Sequence, residues 1–171
     1  MNEVLQCIKT RRSVRSFTEE RIPDEAVEKI VEAAIYAPSG RNLQSWHFTV
    51  VHDREKIARL SKLMQEYLGN PGYCFYNPDM LIFVEADRTN NLGQLDTGCA
   101  MENIFLAAHS LGIGSVWVNQ MYEQCDKPEM RALLTEFGVP ETHVIWGTAA
   151  LGYATATPDP RPRAEGTVNY A

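Results

Sequence analysis

The sequence predicts one α+β domain, because segments with apolar residues at helical spacing alternate with short runs of aromatic and β-branched residues. The chain has 171 residues, 44% of them hydrophobic and 22% charged, which is typical of a globular protein rather than a disordered or fibrous one. No repeat or linker divides it. Residues 1–171 are therefore interpreted as a single domain, with residues 154–171 as an extended C-terminal arm.

The first half of the chain alternates helix and strand signals. Helical spacing predicts helices over residues 2–10 and 53–68, and another that begins at Pro23 and ends near Ala37. The runs WHFTVV (residues 46–51) and MLIFVEA (residues 80–86) have the composition of strands. Residues 69–78 contain two Pro, two Gly and two Asn, so they predict a loop.

The second half contains a long helix over residues 95–111, whose apolar residues nearly encircle it. Such a helix is expected to be buried, either in the centre of the domain or against a second subunit. The elements predicted after it are a strand over 115–118, a helix over 127–137 and a strand over 143–151. Three prolines in the tail exclude a helix or a central strand there.

Charge and composition argue against several classes of protein. A formal net charge of −6 disfavours a general affinity for nucleic acid or for anionic membranes, and neither partner is expected. The N-terminal residues lack the apolar core and cleavage site of a signal peptide. The four cysteines and four histidines are scattered without metal-ligand spacing. We therefore expect a reduced cytoplasmic protein with no metal site.

A cluster of cations follows the first helix in the motif RRSVRSF. Arg11, Arg12, Ser13 and Arg15 place three guanidinium groups and a hydroxyl within five residues, a set that can surround one phosphate. A solvated basic patch at a helix C-terminus is the alternative. The tail carries a further pair, Arg161 and Arg163, which would point to one side of an extended segment. The alternative for this pair is a disordered charged tail.

The motif APSGRNLQSW lies between a helix and a strand. Ser39, Asn42 and Gln44 supply hydrogen-bond donors and acceptors in a loop, which suits a polar heterocycle. An ordinary polar connection is the alternative.

Together these motifs resemble those of the flavin-dependent nitroreductase family. RRSVRSF, APSGRNLQSW, LGIGSVWV at the end of the central helix, and GTAALGY followed by PRPR stand in register from residue 4 to residue 163. The resemblance implies a mostly antiparallel central sheet flanked by helices. It also implies a homodimer with FMN in two sites at the interface, and a C-terminal arm that extends onto the partner subunit.

The resemblance assigns roles to residues by position. The phosphate and ribityl chain would be bound by Arg11, Arg12, Ser13, Arg15, Arg161 and Arg163. The turn that packs against the flavin from the other subunit would comprise Pro38, Ser39, Gly40 and Asn42, with Gln44 close by. Many family members have a Glu-Gly pair whose glycine amide donates to flavin N5. Asn119 and Gln120 stand at those positions here, so Gln120 would donate with its backbone and Asn119 would face the substrate.

The function implied is the transfer of hydride from NADH or NADPH through FMN to a small electrophile such as a nitroaromatic or a quinone. The chemistry belongs to the flavin, so no catalytic side chain is expected. The sequence leaves two alternatives open. One is a flavin-binding protein without turnover that serves storage or sensing. The other is a specialised enzyme of the same family, a dehalogenase or a dehydrogenase.

Overall fold

A computed structural model describes residues 2–170 and builds them around one antiparallel sheet. Its strands are β1 (Trp46–Val51), β2 (Met80–Asp87), β3 (Gly114–Val118) and β4 (His143–Gly152). Their order across the sheet is β1-β2-β4-β3, with antiparallel pairing between all neighbours. β1 and β3 are therefore the edge strands.

The helices within the described residues are α1 (Glu3–Thr10), α2 (Asp24–Ile35), α3 (Arg54–Leu68), α4 (Gly93–Ser110), α5 (Gln120–Gln124) and α6 (Pro128–Glu136). Local chemistry sets several of their ends. The Asp53 carboxylate accepts hydrogen bonds from the first backbone N–H groups of α3, and Gly69 ends that helix in the left-handed conformation.

The sheet separates two apolar layers. Met80, Ile82 and Val84 of β2 face α2 and α4, whereas Leu81 and Phe83 face the layer that contains α3, α5 and α6. β2 is buried on both faces, which explains why its sequence is an almost continuous apolar run.

The structure confirms the α+β class and the helices and strands predicted from the sequence, with ends that differ by at most two residues. It adds α5 and a 3-10 turn at Gly40–Asn42, neither of which was predicted. It also decides the position of α4. Ile104 and Phe105 are buried within their own chain, so this helix lies in the centre of the domain, while Leu95 near its N-terminus is 68% exposed.

Candidate functional site

The arginine motif runs from the end of α1 to the start of β3. Ser13 forms an isolated parallel bridge with Ser115, and the Val14 N–H donates to the Ser115 carbonyl over 2.9 Å. A Cβ on Gly114 would lie 2.9 Å from Val14 Cγ2, so glycine permits this close approach. The motif is thereby held against an edge strand of the sheet.

The tail folds back onto the same motif. A pocket of about 180 Å³ is lined by Arg11, Arg12, Ser13, Arg15, Pro158, Asp159, Arg161 and Arg163. The two arginine groups predicted from the sequence therefore converge, although some 150 residues separate them. Five guanidinium groups face one carboxylate here, so the pocket favours an anion. The tail residues in this pocket lie beside the arginine motif of their own chain.

The arginines of the pocket differ in whether their side chains already form hydrogen bonds or ion pairs with other residues. Arg12 Nη1 donates to the carbonyls of Lys9 and Arg11, over 2.7 Å each, so this side chain is committed to the end of α1. Arg11 lies over the Phe105 ring and 4.0 Å from Glu102. Within residues 2–170 no ion pair holds Arg15, Arg161 or Arg163, which leaves three guanidinium groups for a ligand.

An imidazole that sequence analysis did not single out lies next to the pocket. His109 Nε2 is 2.8 Å from Thr10 Oγ1. Burial, and then the positive charges of Arg11 and Arg12, lower the pKa of His109. This imidazole therefore adds no charge at neutral pH.

The APSGRNLQSW motif forms a strained turn. Arg41, Asn42 and Gln44 have φ values of 55°, 55° and 48°, a region that costs a residue other than glycine roughly 1–2 kcal/mol. Within the turn, Gln44 N–H donates to Ser39 Oγ over 3.1 Å, and Gln44 Nε2 donates to Asn42 Oδ1 over 2.9 Å. Strain of this kind is concentrated at functional sites.

The turn contacts the N-terminal end of α4, and the arginine motif lies against its C-terminal half. Gly40 N–H donates to the Asp96 carboxylate in the first turn of the helix, whereas Arg11 contacts Glu102 and Phe105 in its second half, and Thr10, just before the motif, contacts His109. At 1.5 Å per residue, Glu102 and Phe105 lie roughly 9 and 14 Å from Asp96 along the axis, and His109 lies roughly 20 Å from it. The structure of one chain therefore does not bring Pro38, Ser39, Gly40, Asn42 and Gln44 to the phosphate-like pocket.

Asn119 and Gln120 follow β3 directly. Asn119 precedes α5 and Gln120 is its first residue, and both side chains are exposed. The first residues of a helix have no intrahelical acceptor for their N–H groups, so the Gln120 N–H is available to a ligand. From Ser115 to Asn119 the chain advances roughly 13 Å. This distance separates the arginine motif, which pairs with Ser115, from Asn119 and Gln120.

Aromatic side chains that sequence analysis missed lie on β3 and α5, close to Asn119 and Gln120 in the chain. Trp117 of β3 is 40% exposed and lies 6.2 Å from Phe105, measured between ring centroids. Tyr122 of α5 stacks on Trp146 of β4, with centroids 4.8 Å apart. Alternate residues of a strand point to the same face, so the sequence predicts only that Trp117 shares a face of the sheet with Ser115. The proximity of Trp117 to Phe105 shows that α4 covers this face.

The sequence profile of the nitroreductase family matches residues 8–71 and 69–153. This chain belongs to the nitroreductase family. A protein of Archaeoglobus fulgidus, provisionally named NADH dehydrogenase/NAD(P)H nitroreductase, is 40% identical over 90% of this chain and 86% of its own length. An NADPH-flavin oxidoreductase of Vibrio harveyi is 29% identical over 95% of this chain and 70% of its own length.

A solved structure gives the same result for the fold. The nitroreductase of Bacteroides fragilis, crystallised with bound FMN, superposes with a TM-score of 0.94 and 39% identity over the whole of both chains. The family predicted from the motifs is therefore confirmed.

The part of the chain that the structure describes has neither a membrane-spanning helix nor a cluster of metal ligands. None of its helices is both long and apolar enough to cross a membrane. Among the same residues, no three His, Cys, Asp or Glu side chains are grouped so that they could hold a metal ion.

Proposed function

We propose that this nitroreductase-family protein is an FMN-dependent oxidoreductase, in which NADH or NADPH reduces the flavin and a nitroaromatic, quinone or similar small electrophile reoxidises it. The observation that carries the proposal is the pocket in which Arg11, Arg15, Arg161 and Arg163 converge. The FMN-bound structure of the Bacteroides fragilis relative supports the same cofactor.

The side chains in this pocket fit the phosphate of FMN. Unpaired guanidinium groups form short, charge-assisted hydrogen bonds to phosphate oxygens, and Ser13 adds a hydroxyl donor. Arg12 contributes through its backbone and by holding the end of α1, because its side chain is already bonded there. When bound, FMN supplies the redox chemistry, which is accepting a hydride and passing on its electrons.

The other proposed site residues, Asn119 and Gln120, would contact the electrophile and stabilise the reduced flavin. The Gln120 N–H at the start of α5 is the donor proposed for flavin N5, where it would stabilise the reduced state. Asn119 beside it would face the bound electrophile. Since the flavin carries the chemistry, no side chain of this protein is assigned as an acid, base or nucleophile.

We propose that the site is completed by a second copy of the chain. Two copies related by a two-fold axis perpendicular to α4 would place the 38–45 turn of one subunit beside the arginine pocket of the other. The exposed apolar residues Val4, Leu5 and Ile8 of α1 and Leu95 of α4 support such an interface. The tail beyond Arg163, in which Val168 and Tyr170 are exposed, would extend onto the partner subunit.

A spectroscopic and kinetic experiment tests this function. The purified protein is expected to be yellow, to be bleached anaerobically by NADH or NADPH, and to oxidise the nucleotide continuously when a nitroaromatic is added. A protein that holds FMN but oxidises neither nucleotide would instead be a flavin-binding protein without turnover. A protein that binds no flavin would contradict the proposal altogether.

A further inference from the structure

A buried carboxylate anchors the strained turn of residues 38–45. Asp96 on the first turn of α4 is only 5% exposed. Its Oδ1 accepts the Gly40 N–H over 2.8 Å, and its Oδ2 accepts from Asn90 Nδ2 over 3.3 Å. A buried carboxylate requires such partners, because an unpaired one is costly.

Asn90 extends this anchor to the other end of the turn. Its Nδ2 also donates to Ser45 Oγ over 2.7 Å, while its Oδ1 accepts the Leu92 N–H over 3.0 Å. The Ser45 carbonyl in turn accepts the Asp87 N–H over 3.2 Å. Both ends of the turn are therefore tied to the segment that leads into α4.

The contact at Gly40 requires the main chain to come very close to α4. A Cβ on Gly40 would lie 2.3 Å from Leu92 Cδ1, so glycine leaves room for this approach. Between the two anchors, Arg41, Asn42 and Gln44 are in the left-handed region. Strained conformations persist only where the surroundings hold them, and the Asp96 and Asn90 side chains hold this turn from outside, in addition to the bonds within it.

We propose that Asp96 is a positioning residue for the cofactor: it holds the 38–45 turn in the conformation that packs against FMN. The proposal rests on the function proposed above. Asp96 acts through the Gly40 N–H and through Asn90, and it does not contact the cofactor. It also couples the turn to α4, the helix whose exposed Leu95 lies in the proposed subunit interface.

The hydrogen bond between Asn90 and Asp96 can be tested by exchanging the two side chains. In an Asp96→Asn variant, one oxygen can still accept from Gly40, but the new amide N–H₂ would face the N–H₂ of Asn90. The double variant Asp96→Asn/Asn90→Asp restores a donor opposite an acceptor. The carboxylate introduced at position 90 could still accept from the Leu92 N–H, and Ser45 Oγ would donate instead of accepting.

A matched control is available elsewhere in the chain. Asp79 is another buried aspartate, and it accepts the Ile22 N–H over 2.8 Å, far along the chain from the turn. Asp79→Asn disturbs a similar bond outside the site. Ser45→Ala is a milder change in the same network, for use if Asp96→Asn does not fold.

The experiment measures hydrogen exchange of the Gly40 amide by NMR in the flavin-free protein, and FMN affinity by fluorescence titration. Asp96→Asn is expected to accelerate exchange and weaken FMN binding, each by roughly tenfold, because the bond from Asn90 to the carboxylate is lost and the Gly40 N–H is left with a neutral acceptor. Ser45→Ala should give smaller changes in the same direction. The double variant should restore both values, and Asp79→Asn should leave both unchanged.

Unchanged Gly40 exchange in Asp96→Asn would overturn the proposal. So would faster exchange with unchanged FMN affinity, because the carboxylate would then be a structural anchor only. A wild-type protein that binds no FMN would contradict the proposed function instead, and the exchange rates would still decide whether Asp96 holds the turn.

Discussion

At the scale of single residues, the site depends on which polar groups are already paired. Arg12 is bonded to two backbone carbonyls, whereas Arg15 has no ion-pair partner within the described part of the chain. Neighbours in one sequence motif therefore have different roles. A count of arginines in the sequence could not distinguish them, because the distinction depends on how α1 ends.

Replacing Arg11 and Arg15 by Ala should weaken FMN far more than riboflavin, because only FMN carries the phosphate. Each lost charge-assisted contact should cost roughly 1.5–3 kcal/mol of binding free energy. Titration of both ligands measures this. Arg59→Ala, which removes an exposed partner of Glu136 on α6, serves as the control and should change neither affinity. Equal losses for the two ligands would mean that the arginines do not bind phosphate.

Gln120→Pro should slow flavin reduction by NADH or NADPH, because proline removes the backbone N–H proposed to reach N5. Loss of one donor in an oxyanion-type site costs on the order of a hundredfold, and N5 carries less charge, so a smaller factor is expected. Gln120→Ala keeps the N–H and is the control. Stopped-flow traces with the wild-type rate in Gln120→Pro would exclude this donor.

At the scale of elements, local signals predicted most of the fold. These signals affect only the conformation of adjacent residues: the aromatic and β-branched run at 46–51 forms β1, Pro23 precedes α2, and Asp53 precedes α3. α5 was not predicted because five residues are too few to show a helical period. The left-handed backbone of the predicted turn was missed too, since its residues at positions 41, 42 and 44 are not glycine.

Two titratable side chains, His47 and Glu85, lie opposite each other where β1 pairs with β2. His47 Nδ1 lies 3.0 Å from Oε2 of the fully buried Glu85. Burial raises the pKa of Glu85 above 4.5, and the hydrogen bond with Glu85 raises the pKa of His47 above 6.5. Both shifts mean that the folded chain binds protons more tightly than the unfolded chain.

The free energy of unfolding should therefore fall as the pH rises above 4.5 and through the raised pKa values of this pair. Glu85→Gln should flatten this decline, as measured by urea denaturation at a series of pH values. Glu136→Gln is the control: Arg59 lowers the pKa of Glu136, so its contribution is lost only in more acidic solution. The same decline in Glu85→Gln as in the wild type would rule out the pair as its source.

At the scale of the whole molecule, long-range contacts determine the strand order and the convergence of the arginines, which local sequence patterns could not predict. The strand order and the meeting of Arg15 with Arg161 and Arg163 join segments far apart in the chain, and no local pattern encodes them. The resemblance of ordered motifs nevertheless predicted that the two arginine groups serve one site. It also predicted the turn, which contacts the N-terminal end of α4 in a single chain.

The apolar face of α1 and the start of α4 should form the subunit interface. Leu95→Glu combined with Ile8→Glu is expected to give folded monomers that lose FMN, because both side chains are exposed in the single chain. Sedimentation at micromolar concentration and circular dichroism measure this. Ile104→Glu should unfold the chain instead, since Ile104 is fully buried within it. A wild-type protein that sediments as a monomer would contradict the shared site.

The most direct test of that shared site uses mixed dimers of two inactive chains. One chain carries Arg11→Ala and Arg15→Ala and lacks two of the five arginines of the pocket. The other carries Gly40→Val, whose Cβ would lie 2.3 Å from Leu92 Cδ1, so that the added side chain must displace either Leu92 or the turn. If the turn of one subunit completes the pocket of the other, the mixed dimer has one intact site and binds about one FMN with wild-type affinity, while both parent dimers bind FMN far more weakly. A mixed dimer without FMN would show that each site is built from a single chain, and would contradict the account.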